Sequence, residues 1–339
     1  MKLIKTEDAV GHVLCHDMTQ IIKDQYKDAR FRKGHVVTEE DIPVLLSMGK
    51  EHLYVWEMTP GMVHENDAAE RLLALCGQEN MIRSGVKEGK IELKAACDGV
   101  FLVDSARLVA VNSQDEVMIA TRKGGMAVRE GDKLAGMRVI PLIIEEEKLR
   151  KAEQAAGDKP LLSLKPYVRK TACIVATGGE VKKGLIKDTF TPVVIDKLKT
   201  YGIETLEVVY SGDGVENVRD AVLAMRERKP DMILCTGGMS VDPDDNTPGG
   251  IKAAGANIIA YGAPVLPGAM FLLGYFDDGM PVMGLPGCVM YAGATVFDLV
   301  LPKIAADVPV TRADLAALGE GGLCLGCKPC HYPICPFGK

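Results

Sequence analysis

The sequence of 339 residues lacks long hydrophobic runs and has no excess of basic residues. No stretch approaches the roughly 18 apolar residues of a membrane-spanning helix, and residues 1–10 lack the apolar core of a signal peptide. We therefore expect a cytoplasmic protein without membrane association. The formal net charge of −6 argues against a nucleic-acid partner, because counterion release needs clustered positive charge.

Apolar sequence is nevertheless plentiful, at 47% hydrophobic and 25% charged residues, which is typical of a folded globular protein. A chain of this length has room for about two or three domains with a buried core. Ten cysteines are present. Because we expect a reducing compartment, they are interpreted as free or metal-bound thiols rather than disulfides.

Composition divides the chain into four regions. They are a small α+β segment (1–60), a β-rich accessory domain with a linking helix (61–160), an α/β domain (166–308) and a Cys-rich tail (321–339). In the second region, three apolar runs predict strands of a small antiparallel barrel or sandwich: 100–103, 108–111 and 117–120. Asn66 or Asp67 is expected to cap a helix that ends at Gly77, and the charged, alanine-rich stretch 145–156 predicts the linking helix.

Strands and helices alternate beyond residue 166, the last helix being expected over 289–304, which predicts a parallel sheet in a three-layer αβα domain. Three glycine-rich turns follow apolar runs in this region, at 177–180, 236–240 and 285–288. Because the carboxyl ends of parallel strands lie at one edge of a sheet, these turns should meet there. Strand-then-glycine turns of this kind present backbone N–H groups to phosphorylated ligands.

Asp242, Asp244 and Asp245 follow the second turn within four positions. Carboxylates repel one another and a nearby phosphate unless a divalent cation lies between them. The loop therefore predicts Mg²⁺ beside a phosphate, with Asp242 and Asp245 as its ligands. A solvated loop without metal is the alternative interpretation.

Residues 171–306 resemble the molybdenum cofactor biosynthesis domain, which binds molybdopterin. The resemblance depends on the three turns together with Ile-Lys-Asp-Thr at 186–189, Ser-Gly-Asp at 211–213 and Pro-Gly at 267–268. The order and spacing of these motifs are most similar to the molybdopterin molybdotransferases, or molybdenum insertases. Residues 36–55 more faintly resemble a segment that those enzymes carry outside this domain.

The resemblance implies that molybdopterin, activated as its adenylate, lies across the glycine turns, and that molybdate is inserted when the adenylate is hydrolysed. It implies Glu180, Asp213 and Asp245 as functional acids and a homodimer as the usual assembly. The residues implied in binding the cofactor are Thr177, Gly178, Gly179, Thr236, Gly237, Gly238, Met239, Ser240, Thr247, Pro267, Gly268, Pro286 and Gly287.

The chain also departs from the family pattern. Gly179 replaces an aspartate, Phe190 and Cys288 replace asparagines, and Leu266 and Ala269 replace lysines beside the Pro-Gly turn. Lysines beside an oxyanion stabilise it through charge-assisted hydrogen bonds, so their loss affects molybdate handling most.

Three hypotheses for the function remain open. The chain is a divergent insertase, a non-catalytic molybdopterin carrier, sensor or chaperone for a client molybdoenzyme, or a nucleotide pyrophosphatase. The paired acids at 244–245 beside a Gly-Gly turn would suit the third.

The tail carries Cys324, Cys327, Cys330 and Cys335 in a C-x2-C-x2-C-x4-C pattern followed by Pro336. Such crowding of thiols is typical of metal ligands and predicts Zn²⁺ or an iron–sulfur cluster. The last gap is one residue longer than in the usual ferredoxin pattern. A disordered, metal-free tail is the alternative.

Overall fold

The computed structural model describes residues 2–22, 26–55, 60–179, 185–240 and 245–339. The chain forms two compact units, the first from residues 1–96, 103–124 and 131–163, the second from 97–102, 125–130 and 164–339. Over the described ranges, no helix is both long and apolar enough to cross a membrane.

The first unit begins with two antiparallel strand pairs and one helix. They are β1 (Lys2–Lys5) with β4 (His52–Val55), β2 (Met18–Ile22) with β3 (Tyr26–Phe31), and α1 (Asp41–Ser47). Leu14, Phe31, Leu45 and Leu53 are buried together between them. These short elements therefore share a small core of their own.

The rest of the first unit consists of two sheets and three helices. The larger sheet has the order β6-β7-β11-β9 and is antiparallel throughout: β6 (Met81–Arg83), β7 (Ile91–Ala95), β11 (Lys133–Val139) and β9 (Val117–Thr121). The smaller sheet is an antiparallel pair, β5 (Met62–His64) with β12 (Ile143–Glu145). The helices are α2 (Glu65–Cys76), α3 (Ser105–Asn112) and α4 (Glu146–Ala156), the last being the predicted linking helix.

The predicted strand over 108–111 is wrong, because these residues belong to α3. The side chain of Asp104 caps this helix by accepting the backbone N–H of Arg107 at 3.1 Å. The Arg107 guanidinium in turn donates to the carbonyls of Ala156, Lys159 and Pro160. A run of four apolar residues suits a strand or a helix equally well, so the cap and these distant contacts determine which one forms.

The predicted cap of α2 is also wrong. The helix begins at Glu65, and the side chain that accepts a first-turn N–H is that of His64, from Asn66 at 3.2 Å. Gly77 ends the helix with φ +68°, as predicted.

The second unit contains a six-stranded sheet with the order β15-β14-β16-β19-β18-β17. Its strands are β14 (Thr171–Thr177), β15 (Glu204–Ser211), β16 (Met232–Thr236), β17 (Asn257–Tyr261), β18 (Leu272–Tyr275) and β19 (Pro281–Leu285). The first four in the order are parallel, whereas β18 is antiparallel to both neighbours. The predicted α/β class is confirmed, with a mixed sheet instead of a wholly parallel one. A three-stranded sheet completes the unit: β8 (Gly99–Val103), β10 (Met126–Val128) and β13 (Leu162–Pro166).

Helices cover both faces of the large sheet, as the three-layer prediction requires. On one face Ala172 and Ile174 of β14 pack with Val194, while Cys173 and Val175 face the opposite core with Val218. The helices of the first face are α5 (Phe190–Lys199), α8 (Val296–Ala305) and α9 (Arg312–Ala317); those of the second are α6 (Val215–Glu227) and α7 (Thr247–Ala253).

The single helix predicted over 289–304 is instead divided in two. A short 3₁₀ turn covers Gly287–Met290, and α8 begins only at Val296. Thr295 and Asp298 form a capping box, in which Asp298 accepts the Thr295 N–H at 2.8 Å and Thr295 accepts the Phe297 N–H at 3.2 Å. This cap determines where the helix starts.

Candidate functional site

The carboxyl ends of β14, β15 and β16 bring three of the predicted turns together. The N–H of Gly178 donates to the carbonyl of Ser211 at 3.2 Å. The Thr247 hydroxyl donates to the carbonyl of Gly237 at 2.8 Å and lies 3.3 Å from the Thr177 hydroxyl. The turns at 177–179, 211–213 and 236–240 therefore form one continuous rim, which we call the glycine rim.

Two positions of the glycine rim accept only glycine. Gly237 and Gly238 have φ angles of +78° and +57°. An alanine Cβ would lie 2.1 Å from the Thr177 carbonyl oxygen at the first position, and 2.8 Å from the Thr247 hydroxyl at the second. At these two positions the backbone packs directly against neighbouring atoms, which leaves no room for a side chain of its own.

Tyr261 supports the turn from the end of β17. Its hydroxyl donates to the carbonyl of Met239 at 3.0 Å and lies 3.3 Å from that of Ser240. Burial and the charge of Asp245 raise the pKa of Tyr261, so the phenol stays protonated as a donor. No local sequence pattern shows that β17 ends beside the turn, so Tyr261 was not among the predicted site residues.

Met239 and Thr247 were predicted to bind the cofactor, yet both side chains are buried. The thioether of Met239 packs over Gly284 in the core. The Thr247 hydroxyl is occupied by the hydrogen bond within the rim. Only Ser240, whose side chain is exposed, could offer a free hydroxyl from this turn to a ligand.

Asp213 is the predicted acid whose geometry is best defined. Its carboxylate accepts the N–H of Gly179 at 3.2 Å. An alanine Cβ at position 179 would lie 2.7 Å from the same carboxylate oxygen, so the glycine found where the family has aspartate makes room for Asp213.

Glu180 and Asp242 lie outside the described residues, whereas Asp245 lies near Tyr261. In the part of the chain that is described, no three His, Cys, Asp or Glu side chains are grouped so as to hold a metal ion. The Mg²⁺ prediction therefore has no support from this arrangement.

Asp188, from the Ile-Lys-Asp-Thr motif, has a structural role. Its carboxylate accepts the N–H groups of Phe190 and Thr191 at 2.9 and 3.0 Å and the hydroxyl of Tyr210 at 3.2 Å. Burial opposes its ionisation, but the hydrogen bonds from Thr191, Phe190 and Tyr210 together hold the pKa of Asp188 below its ordinary value. It stabilises the start of α5, where Phe190 donates its backbone N–H to Asp188 and packs its side chain against the core.

The remaining predicted turns lie at the same edge of the sheet, because β17 and β19 also end there. Gly268 has φ +127° and packs against Val296, where an alanine Cβ would lie 2.6 Å from the valine. Pro286 is buried and Gly287 exposed. Burial raises the pKa of the neighbouring Cys288, which is therefore a neutral thiol near neutral pH.

The four tail thiols do not converge. Cys324 and Cys335 are half-buried against the core of the second unit, while Cys327 and Cys330 are exposed. No metal-binding group is found among them, given that the structure describes all of residues 321–339. The predicted zinc or iron–sulfur site is thus not supported by the present positions of the thiols.

Comparison with known proteins identifies two regions of the chain. Residues 173–306 match the model of a family described as a probable molybdopterin binding domain, and residues 3–57 match one described as a domain of unknown function. The first match confirms the predicted resemblance to the molybdenum cofactor biosynthesis domain.

Curated relatives match a shorter stretch. A CinA-like protein of Mycobacterium tuberculosis is 33% identical over 76 residues, which are 22% of this chain and 18% of the relative. The CinA-like protein of Petrotoga mobilis is 32% identical over 76 residues, 22% of this chain and 19% of the relative. This chain thus spans under a fifth of the length of both relatives.

Solved structures resemble part of the chain. The molybdopterin biosynthesis enzyme MoaB of Thermus thermophilus is 16% identical, covering 42% of this chain and 98% of its own with a TM-score of 0.36. The protein CinA of Thermoplasma acidophilum is 18% identical, covering 40% and 98% with a TM-score of 0.34. At these values the two structures carry no information on activity.

Proposed function

We propose that residues 166–308 bind molybdopterin or its adenylate and that the chain is an insertase-like molybdopterin molybdotransferase. The observation that supports this best is the glycine rim, where the turn at 236–240 is pressed against Thr177 at positions that exclude any side chain. Bare backbone at the carboxyl edge of an α/β sheet suits a ligand with a phosphate group.

In this proposal the amides of Gly237 and Gly238 and the exposed hydroxyl of Ser240 hold the phosphate of the pterin. Pro286 and Gly287 border the pterin ring. Because carboxylates near a phosphate require a divalent cation between them, Mg²⁺ belongs to the proposal, with Asp245 and Asp242 as its ligands.

The catalytic acids of the proposal are Glu180, Asp213 and Asp245. Asp213 is oriented by the Gly179 N–H, which leaves its second carboxylate oxygen for the ligand. A homodimer belongs to the same proposal, since the family usually dimerises.

One observation favours a second candidate, a non-catalytic carrier or chaperone for a client molybdoenzyme. Leu266 stands where the family has a lysine, and its N–H and carbonyl are bonded to Gly322 and Cys324 of the tail. This flank of the Pro-Gly turn therefore offers no positive charge to molybdate. A protein that only binds the cofactor needs backbone amides to hold its phosphate but does not need the lysines of the family.

Calorimetry and turnover with the full chain separate the candidates. An insertase hydrolyses adenylylated molybdopterin only with Mg²⁺ and molybdate, and a carrier binds it tightly without hydrolysis. A pyrophosphatase cleaves free dinucleotides and ignores molybdate. The variant Asp245→Ala should lose binding or turnover, whereas the control Asp277→Ala, an exposed carboxylate at the opposite edge of the sheet, should not. If neither pterin compound binds, molybdopterin binding is refuted.

A further inference from the structure

The tail closes on itself as a loop. The N–H of Gly338 donates to the carbonyl of Gly321 at 2.9 Å, so the two ends of the tail meet. Between them lie all four cysteines of the C-x2-C-x2-C-x4-C pattern. We call residues 321–338 the cysteine loop.

Both ends of the cysteine loop are held firmly by the second unit. The N–H of Leu266 donates to Gly322 and its carbonyl accepts the N–H of Cys324, each at 2.8 Å. At the other end Phe337 is 2% exposed within the core, and the hydroxyl of Tyr332 donates to the carbonyl of Asp298 at 3.0 Å. These contacts fix the loop at Leu266 and at α8.

Between the anchors at Cys324 and Tyr332, the cysteine loop makes few hydrogen bonds. Residues 325–333 are all described, and none of their backbone N–H groups donates to a backbone carbonyl. Leu325 and Ile334 are 73% and 87% exposed. Ordering costs about 1–2 kcal/mol per residue, and no backbone hydrogen bond donated by residues 325–331 offsets it. Another source of stabilisation must act on this stretch if it is to keep one conformation.

We propose that Cys324, Cys327, Cys330 and Cys335 bind one thiophilic metal centre, which completes the fold of the cysteine loop. Thiolate–metal bonds supply folding free energy to segments that are too small to bury a core. The half-buried Cys324 and Cys335 are placed by the anchored ends, and the exposed Cys327 and Cys330 lie between them, with Cys330 close to Gly293. Residues 325–331 therefore have to close around the metal while Tyr332 stays on α8, and the backbone hydrogen bond that this movement would break is that from Ile334 to His331.

The metal centre would border the proposed ligand site. Leu266 directly precedes the Pro-Gly turn at 267–268, and Tyr332 is bonded to Asp298 in the first turn of α8. Fixing the cysteine loop thus fixes two segments beside the glycine rim. We expect the bound metal to increase the affinity for molybdopterin. This coupling rests on the proposed function, whereas metal binding itself does not.

The first experiment measures metal in the full chain purified with reductant and without oxygen. We expect about one Zn²⁺, or one iron–sulfur cluster with acid-labile sulfide, per chain. The double variant Cys327→Ser/Cys330→Ser should lose it, while Cys97→Ser, a half-exposed thiol outside the tail, should keep it. Because Cys327 and Cys330 are exposed, the double variant should fold. Circular dichroism of both variants checks this.

The second experiment adds Zn²⁺ alone, or iron with sulfide, to the metal-depleted full chain. Protection of the four tail thiols from alkylation, read by mass spectrometry, supports the proposal. Absence of uptake and of protection overturns it, and so does equal uptake by the double variant. Metal uptake with unchanged molybdopterin affinity refutes only the coupling. Failure of every form to bind molybdopterin refutes the proposed function and leaves the metal readout intact.

Discussion

Replacing Gly237 by alanine tests whether the turn at 236–240 truly lies against β14. The added Cβ would lie 2.1 Å from the carbonyl oxygen and 3.1 Å from the carbonyl carbon of Thr177. Both are backbone atoms of a strand end and cannot rotate away. Either the strand end or the turn must move, and the glycine rim is lost in both cases.

Gly255 provides a control matched in backbone conformation. Its φ is +91°, close to the +78° of Gly237, but an added Cβ would meet nothing within 4 Å. Alanine at either site costs about 1 kcal/mol of backbone strain. Only Gly237→Ala adds an overlap, for which overpacking in cores predicts a further ~1–3 kcal/mol. Each kcal/mol lowers the melting temperature of a domain of this size by about 2–4 °C.

Differential scanning calorimetry of both variants measures the difference. Gly237→Ala should unfold several degrees below Gly255→Ala, and molybdopterin binding should be lost in the first variant only. If the two melting temperatures fall equally, the close contact between Gly237 and Thr177 does not exist in solution. If Gly237→Ala melts lower but binds molybdopterin normally, the rim is a structural contact and not a ligand site.

Three further changes test other contacts of the site. Asp188→Asn should lower the free energy of unfolding by about 1 kcal/mol at neutral pH. Because the folded state lowers the pKa of Asp188, its stabilisation is complete above the ordinary pKa and is lost as pH falls through the lowered value. The variant should therefore lose less stability than the parent chain when unfolding is measured at successively lower pH. Tyr261→Phe removes the hydrogen bond to the Met239 carbonyl, so we expect the free energy of unfolding to fall by about 1 kcal/mol and molybdopterin binding to weaken. Unchanged binding would show that Tyr261 does not position the turn. Gly179→Asp adds a carboxylate beside Asp213 and should make molybdopterin binding more dependent on Mg²⁺ in calorimetry, whereas Gly179→Ala, the control for size, should not.

The sequence was sufficient to predict the layered α/β unit because its strands carry a strong local signal. Cys173 and Val175 alternate with Ala172 and Ile174, and all four are fully buried. Such strands need helices on both faces, whatever their neighbours are. The strands β17 and β18 carry no comparable signal, since they are short and joined by a ten-residue irregular connection, 262–271. Their antiparallel order depends on distant pairing that no local pattern encodes.

The candidate site shows the same division between local and distant information. The turn that contains Gly237 and Gly238 was predicted from the chain alone, because two adjacent glycines permit the positive φ angles found there. The hydrogen bonds of Tyr261 and Thr247 were not, since they join elements far apart in the sequence. The helix α3 was missed for this reason too, as its stabilising contacts from Arg107 reach residues about fifty positions away.

The departures from the family pattern at Gly179, Leu266 and Ala269 compensate one another in part. Because the Asp213 carboxylate occupies the space beside Gly179, an aspartate at 179 would place two carboxylates in contact and require a cation between them. One carboxylate that accepts an amide N–H needs much less positive charge nearby. Losing one acid together with two lysines nevertheless makes the edge of the sheet less positive by one charge. Backbone amides can bind a phosphate without that charge, whereas binding of a free molybdate dianion needs it. The substitutions should therefore weaken molybdate binding more than pterin binding.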